Sequence, residues 1–157
     1  MRVVKEAEER KNEILDAAER LVRQKEIPVL QRLTLAIRAV QVDDRGGDAL
    51  MEQIHRPQNA LMHQKIQERL QAGMNPLLTE LLEEGVAEGI CHTDYPAEVA
   101  EMTFLYATVA FDDHAALGGE ERRRKTEAFI YNLERLGQME QGSMIEAVLP
   151  LFSDSAP

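Results

Sequence analysis

The stretch Met102-Thr103-Phe104-Leu105-Tyr106-Ala107-Thr108-Val109-Ala110-Phe111 (MTFLYATVAF) contains no charged side chain. It follows Pro96 and precedes Asp112-Asp113-His114, so it has the length of a helix and the helix punctuation on both sides. A helix that is apolar on every side must be covered on every side. In a chain of 157 residues it is either the central helix of one domain or a helix shared with a second subunit.

The segments around it carry the same period. Residues 5–24 place Ile14, Ala17, Ala18, Leu21 and Val22 on one stripe, with charges opposite. Pro28 suits the first turn of a second helix, which bears Leu30, Leu33, Ile37 and Val40 and ends before Asp43-Asp44-Arg45-Gly46-Gly47. A short helix is expected over 48–55. Pro57 restarts the chain into a helix reaching Ala72, with Leu61 or Met62, Ile66 and Leu70 facing inward. Gly73 and Asn75-Pro76 predict a break and a fresh start, Asn75 accepting a first-turn N–H. The helix that follows carries Leu78, Leu81, Leu82 and Val86 and is closed by Gly89. Residues 120–136 set Phe129, Ile130, Leu133 and Leu136 inward. Gly142-Ser143 is expected to cap a last helix with Met144, Ile145, Val148 and Leu149. Period-2 alternation of β-branched and aromatic residues is missing throughout. The expectation is a single all-α domain, 1–157, a bundle of about seven helices.

Composition excludes several classes. Apolar residues make up 44% of the chain, enough for a core and above the disordered range. No apolar run approaches the ~20 residues that span a bilayer, and the charged N-terminus MRVVKEAEERKNEIL has no signal-peptide core. A cytoplasmic protein without membrane contact is expected. The net charge of −10 opposes general binding to phosphate backbones. Aromatics at 4%, with no tryptophan, leave little for base stacking. The basic run Arg122-Arg123-Arg124-Lys125 is interleaved with Glu120, Glu121, Glu127 and Glu134 and reads as a solvated face. Cys91 is the single cysteine; it forms no intrachain disulfide and reads as a small, inert apolar residue.

Chemistry-bearing motifs are sparse. There is no G-x-S-x-G, no H-E-x-x-H, no cysteine with an evident histidine partner, and no Lys-Ser/Thr after Gly46-Gly47 or Gly118-Gly119. Asp112, Asp113 and His114 could hold a divalent metal, but read first as the polar end of a helix. Neither an enzyme nor a metal or cofactor protein is expected.

Two stretches are familiar. Arg10 through Leu21 (RKNEILDAAERL) resembles the first helix of the TetR family of bacterial transcriptional regulators, where an IL-x-AA-x-x-L stripe packs the DNA-binding head. Residues 56–65 (RPQNALMHQK) and the later FDDH segment resemble the regulatory half of such proteins. The family pattern next requires a turn and a recognition helix that enters the major groove. This chain passes instead from AERL to VRQKEIPVL, so residues 1–24 are expected to be a remnant of that head and 25–157 an effector-binding and dimerisation region. Either the gene lacks the DNA reader or the chain is a shortened or incompletely recorded form, and the splice inside a well-matched pattern favours the latter.

The resemblance implies a ligand-responsive repressor. It would pair with a second copy through its last two long helices in a four-helix bundle and hold a small, largely apolar effector among its middle helices. Operator DNA would be a partner only of a parent protein that has the recognition helix. The effector candidates are Met62, His63, Ile66, Phe104, Tyr106, Phe111 and Asp112, with His63 and Asp112 as polar anchors. The pairing candidates are Met102, Leu105, Val109, Phe129, Leu133 and Leu136. The alternative is a headless helical module that binds a ligand, or an intact regulator, without binding DNA.

Overall fold

The computed structural model describes residues 2–42, 60–110 and 118–146. Among them are five helices: α1 (Arg2–Val22), α2 (Val29–Val42), α3 (Ala60–Ala87), α4 (Pro96–Ala110) and α5 (Gly119–Leu136). No strand occurs among the described residues, as the 3.6-residue periodicity requires.

Five helices stand among the described residues against the expected count of about seven: the break at Gly73 and Asn75-Pro76 does not occur, which joins two expected helices into one, and the expected last helix, with Val148 and Leu149, runs outside the described residues. α3 runs unbroken through Pro76, although an interior proline forfeits one backbone hydrogen bond at a cost of about 3 kcal/mol. Burial on both sides of it offsets that loss: Met74, Leu78, Leu81 and Leu82 all lie in the core. Asn75 does not cap, since its buried Oδ1 meets no hydrogen-bond partner among the described residues. Gly73 is the place where α1 crosses closest, for a Cβ there would stand 2.6 and 2.8 Å from the two methyl carbons of Leu15. The expected helix at 48–55 lies outside the described residues.

Contacts in register set the direction of the helices. Going up α1, Glu8 meets Arg69 at 3.3 Å, Leu15 meets Gly73, and Lys25, just past its end, meets Glu80 at 2.8 Å. α1 and α3 therefore run parallel, with α2 returning between them. One core joins all five helices and the segment after α5: Ala18 and Val22 from α1, Leu33 from α2, Met74 through Leu82 from α3, Val99, Ala100 and Phe104 from α4, Phe129, Ile130 and Leu133 from α5, and Met144. Among the described residues of α1 and α3, the fully buried apolar members of the core lie on the C-terminal side of the Leu15–Gly73 crossing, with Leu15 and Leu70 packed against them.

Both long C-terminal ends are closed in the same way. At α3, Ile90 N–H reaches Gly85 O (2.8 Å) and Gly89 N–H reaches Val86 O (3.1 Å), with Gly89 at φ +74°. At α5, Met139 N–H reaches Glu134 O (2.8 Å) and Gln138 N–H reaches Arg135 O (3.2 Å). Here Gln138 takes the positive φ of +50°. These are the paired closures that use the orphan carbonyls of a last turn.

Candidate functional site

Three groups of side chains stand out: a saturated polar cluster, an uncovered apolar stripe, and a buried lysine. The first fastens α1, α2 and α3. Arg32 is 1% exposed; its Nε donates to Ile27 O (2.8 Å) and its Nη1 to Val22 O (2.7 Å). Its Nη2 pairs with Glu84, which also receives Lys25, and Lys25 reaches Glu80 at 2.8 Å. The Lys25 hydrogen bond holds the Glu80 carboxyl below its usual range. A guanidinium supplies donors in a fixed fork, and here the fork is filled by carbonyls and a carboxylate. The cluster is structural, and its one signal in the sequence is a charge set on the buried face of α2 beside Val29, Leu33 and Ala36.

A second buried polar group corrects an expectation. Glu134, read as part of a solvated face, is 2% exposed. Its carboxylate accepts N–H groups from Gly142 (2.8 Å), Met144 (2.7 Å) and Ile145 (3.2 Å). Ser143, expected to cap this turn, has a buried Oγ with no partner among the described residues. A carboxylate ten residues away does the capping, and a local cap motif could not reveal it.

The charge-free stretch is half covered. α4 buries Val99, Ala100 and Phe104 and leaves Met102, Leu105, Tyr106 and Val109 exposed, Val109 to 78%. On α5, Tyr131 and Leu136 are also exposed. The ring of Tyr106 stacks on Phe129 with centroids 5.7 Å apart and planes 8° from parallel. Of the pairing candidates, Met102, Leu105, Val109 and Leu136 thus face outward, while Phe129 and Leu133 lie in the subunit's own core. Their spacing on α5 puts them on the same face as Thr126 and Ile130, which meets the other helices.

The effector candidates separate in the same way. Met62, His63 and Ile66 stand in the first two turns of α3, on the N-terminal side of the Leu15–Gly73 crossing, with Ile66 half-buried. Phe111 and Asp112 lie outside the described residues, as do Asp113 and His114. Among the described side chains, Ile66 is half-buried on α3, Phe104 is in the core and Tyr106 is on the exposed stripe.

Sequence reasoning passed over Lys11. It continues the stripe formed by Leu15, Ala18 and Val22 and is 3% exposed. Burial lowers its amine below the ordinary lysine range, and Arg69 lowers it further, against an opposing effect of Glu8. The visible signal was a cation on the core-facing register of an amphipathic helix. Cys91 is buried as expected, with its Sγ 2.8 Å from where a Cβ at Gly85 would stand, and burial raises its thiol.

The all-helical order and the half-covered stripe agree with one comparison. The family model of the tetracyclin repressor-like, C-terminal domain matches residues 45–121. Over that segment the chain is similar to the TetR family. The TetR-like segment takes in α3, α4 and the first turn of α5. No curated protein and no solved structure matches the chain. Among the described residues no helix is long and apolar enough to cross a membrane, and no cluster of three metal-ligating side chains occurs. α1, which resembles a TetR head helix in sequence, gives Ala18 and Val22 to the core shared with the TetR-like segment.

Proposed function

We propose that the chain is the effector-binding and dimerisation part of a TetR-like, ligand-responsive transcriptional regulator, acting in the cytoplasm and without catalysis. The observation that carries this reading is the uncovered stripe Met102, Leu105, Tyr106 and Val109 within the TetR-like segment. Large apolar side chains in a contiguous exposed row mark an interaction surface. The occupant we infer is a second copy of the chain, its α4 and α5 packing against ours as a four-helix bundle around a two-fold axis. A stable pair of this kind covers about 800 Å² on each partner, an area that two helices of this length supply. We infer that the effector binds on the N-terminal side of the Leu15–Gly73 crossing, near Met62, His63 and Ile66.

Light scattering during gel filtration tests the pairing. The wild-type chain of 17.8 kDa is expected to elute with twice that mass, and Val109→Glu with the monomer mass. A wild-type monomer at high concentration refutes it. The alternative, a helical module that never reads DNA, draws on the short connection between α1 and α2. Residues 23–28 join them directly, and both helices belong to one core. Gel-shift titration of the full-length gene product against its own upstream DNA separates the two: salt-sensitive retention supports the regulator, and none at any salt supports the module.

A further inference from the structure

The uncovered face of α4 and α5 carries a charge pattern as well as an apolar one. From just before the first turn of α4, Tyr95, Glu98, Met102, Tyr106 and Val109 follow one another at spacings of three and four, and all are exposed. On α5, Lys125, Phe129, Asn132 and Leu136 are spaced in the same way. Such spacings keep residues on one helix face. Phe129 is the member whose ring meets Tyr106, so the two stripes lie side by side. Each holds a single charge, Glu98 on α4 and Lys125 on α5.

Two contacts fix the stagger of these helices. Tyr106 stands level with Phe129, and the backbone leading into α4 meets the end of α5, where His92 N–H donates to Gly137 O at 3.0 Å. α4 and α5 are therefore antiparallel neighbours. At a rise of about 1.5 Å per residue, Glu98 lies about 12 Å to one side of the Tyr106–Phe129 level and Lys125 about 6 Å to the other. Within one subunit the two charges are thus about 18 Å apart along the bundle. Glu98 shares its level with Leu136, and Lys125 shares its level with Val109.

These levels discriminate between two ways of pairing. With the two-fold axis along the helices, each level meets its own copy. Glu98 then faces a second carboxylate or Leu136, and Lys125 faces a second ammonium or Val109. Like charges set against each other in an interface are costly. With the axis perpendicular to the helices, at the level of Phe104 and midway between the two charges, the ends are exchanged. Glu98 then meets the partner subunit's Lys125, and in the same placement Val109 meets the partner subunit's Leu136. Charges beside an apolar seam set the orientation of partner helices. We propose that two copies of the chain pair about this perpendicular axis, held in direction by two Glu98–Lys125 ion pairs across the interface. The inference rests on the pairing reading above and adds to it the direction and register of the partner.

Sedimentation equilibrium of the whole chain at low salt tests it. Glu98→Lys and Lys125→Glu are each expected to raise the dimer dissociation constant at least tenfold. Their equimolar mixture is expected to return to within threefold of wild type, because one native pair and one pair with exchanged signs then form. That recovery also shows that both variants fold. In a Cys91→Ala background under copper phenanthroline, Glu98→Cys combined with Lys125→Cys is expected to give a covalent dimer, and Glu98→Cys alone is not. Three results overturn the proposed axis while leaving the pairing reading standing: Glu98→Lys pairing as tightly as wild type, a mixture that does not recover, or cross-linking through Glu98→Cys alone. A wild-type chain that stays monomeric overturns both.

Discussion

Replacing Gly73 by alanine sets two effects of known size against each other. In the interior of α3, alanine is favoured over glycine by about 0.8–1.0 kcal/mol. Against that, the new Cβ would stand 2.6, 2.8 and 3.3 Å from Cδ2, Cδ1 and Cγ of Leu15. A turn of Leu15 about χ1 moves all three carbons away together, but it takes the side chain out of its packed rotamer, and whatever contact remains must be met by a small separation of α1 and α3. Overpacking of this kind costs about 1–3 kcal/mol. Leu15 is half-buried and can yield partly, so the net expectation is a loss of about 1 kcal/mol. The same substitution in a Leu15→Ala background meets no obstacle and should stabilise by about 1 kcal/mol. Urea unfolding followed by far-UV circular dichroism, at one fixed protein concentration, gives all four corners of the cycle. If Gly73→Ala stabilises the chain that retains Leu15, or if the coupling falls below about 0.5 kcal/mol, the close crossing is not what selects glycine here.

Glu134→Gln should destabilise by about 3 kcal/mol, because charge-assisted bonds to three N–H groups are lost or reversed. Amide exchange at Met144 and Ile145 should accelerate with it, and unchanged protection there would refute the capping role. Gln138→Gly should stabilise by about 1 kcal/mol, since it relieves a left-handed φ that side-chain-bearing residues resist; thermal denaturation reads this, and a lower melting temperature contradicts it. Cys91 links stability to alkaline pH. Burial raises its folded pKa above the unfolded one, so its contribution is complete below the ordinary thiol range and is lost as pH rises through that range toward the folded value. Comparison of Cys91→Ala with wild type across that range should show the two stability curves converging, and parallel curves would exclude the linkage.

The helical class was legible because apolar spacing of three and four residues recurs in every described element, and the cap at Gly89 was legible because glycine accepts the φ that the closure demands. Helix continuity through Pro76 was not. Local chemistry at Gly73-Met74-Asn75-Pro76 favours a break, and only the burial of Met74 and Leu78 against other helices outweighs it. Likewise, the stripe on α1 was visible, yet nothing local tells whether a helix buries it against a separate head or in the core of its own domain. Glu134 was misread for a related reason: alternating charges around it suggest water, and the N–H groups it caps come from a turn eight to eleven residues on. Of the candidate site, the apolar row on α4 was readable from the missing charges. Its division into a buried and an exposed side depends on where α3 and α5 lie.

Three helices, α1, α3 and α5, end where two, α2 and α4, begin. Each helix terminus carries about half an elementary charge, negative at the carbonyl end and positive at the amide end. One end of the bundle thus has three negative poles against two positive ones, and there Arg32 donates to Val22 O, Lys25 lies just past α1, and the His92 ring lies 3.1 Å from Gln138 O. At the other end the surplus is reversed, with three amide poles against two carbonyl poles. The backbone alone therefore polarises an acidic chain along its length, and its positive end is the one toward which Lys11 and Arg69 lie.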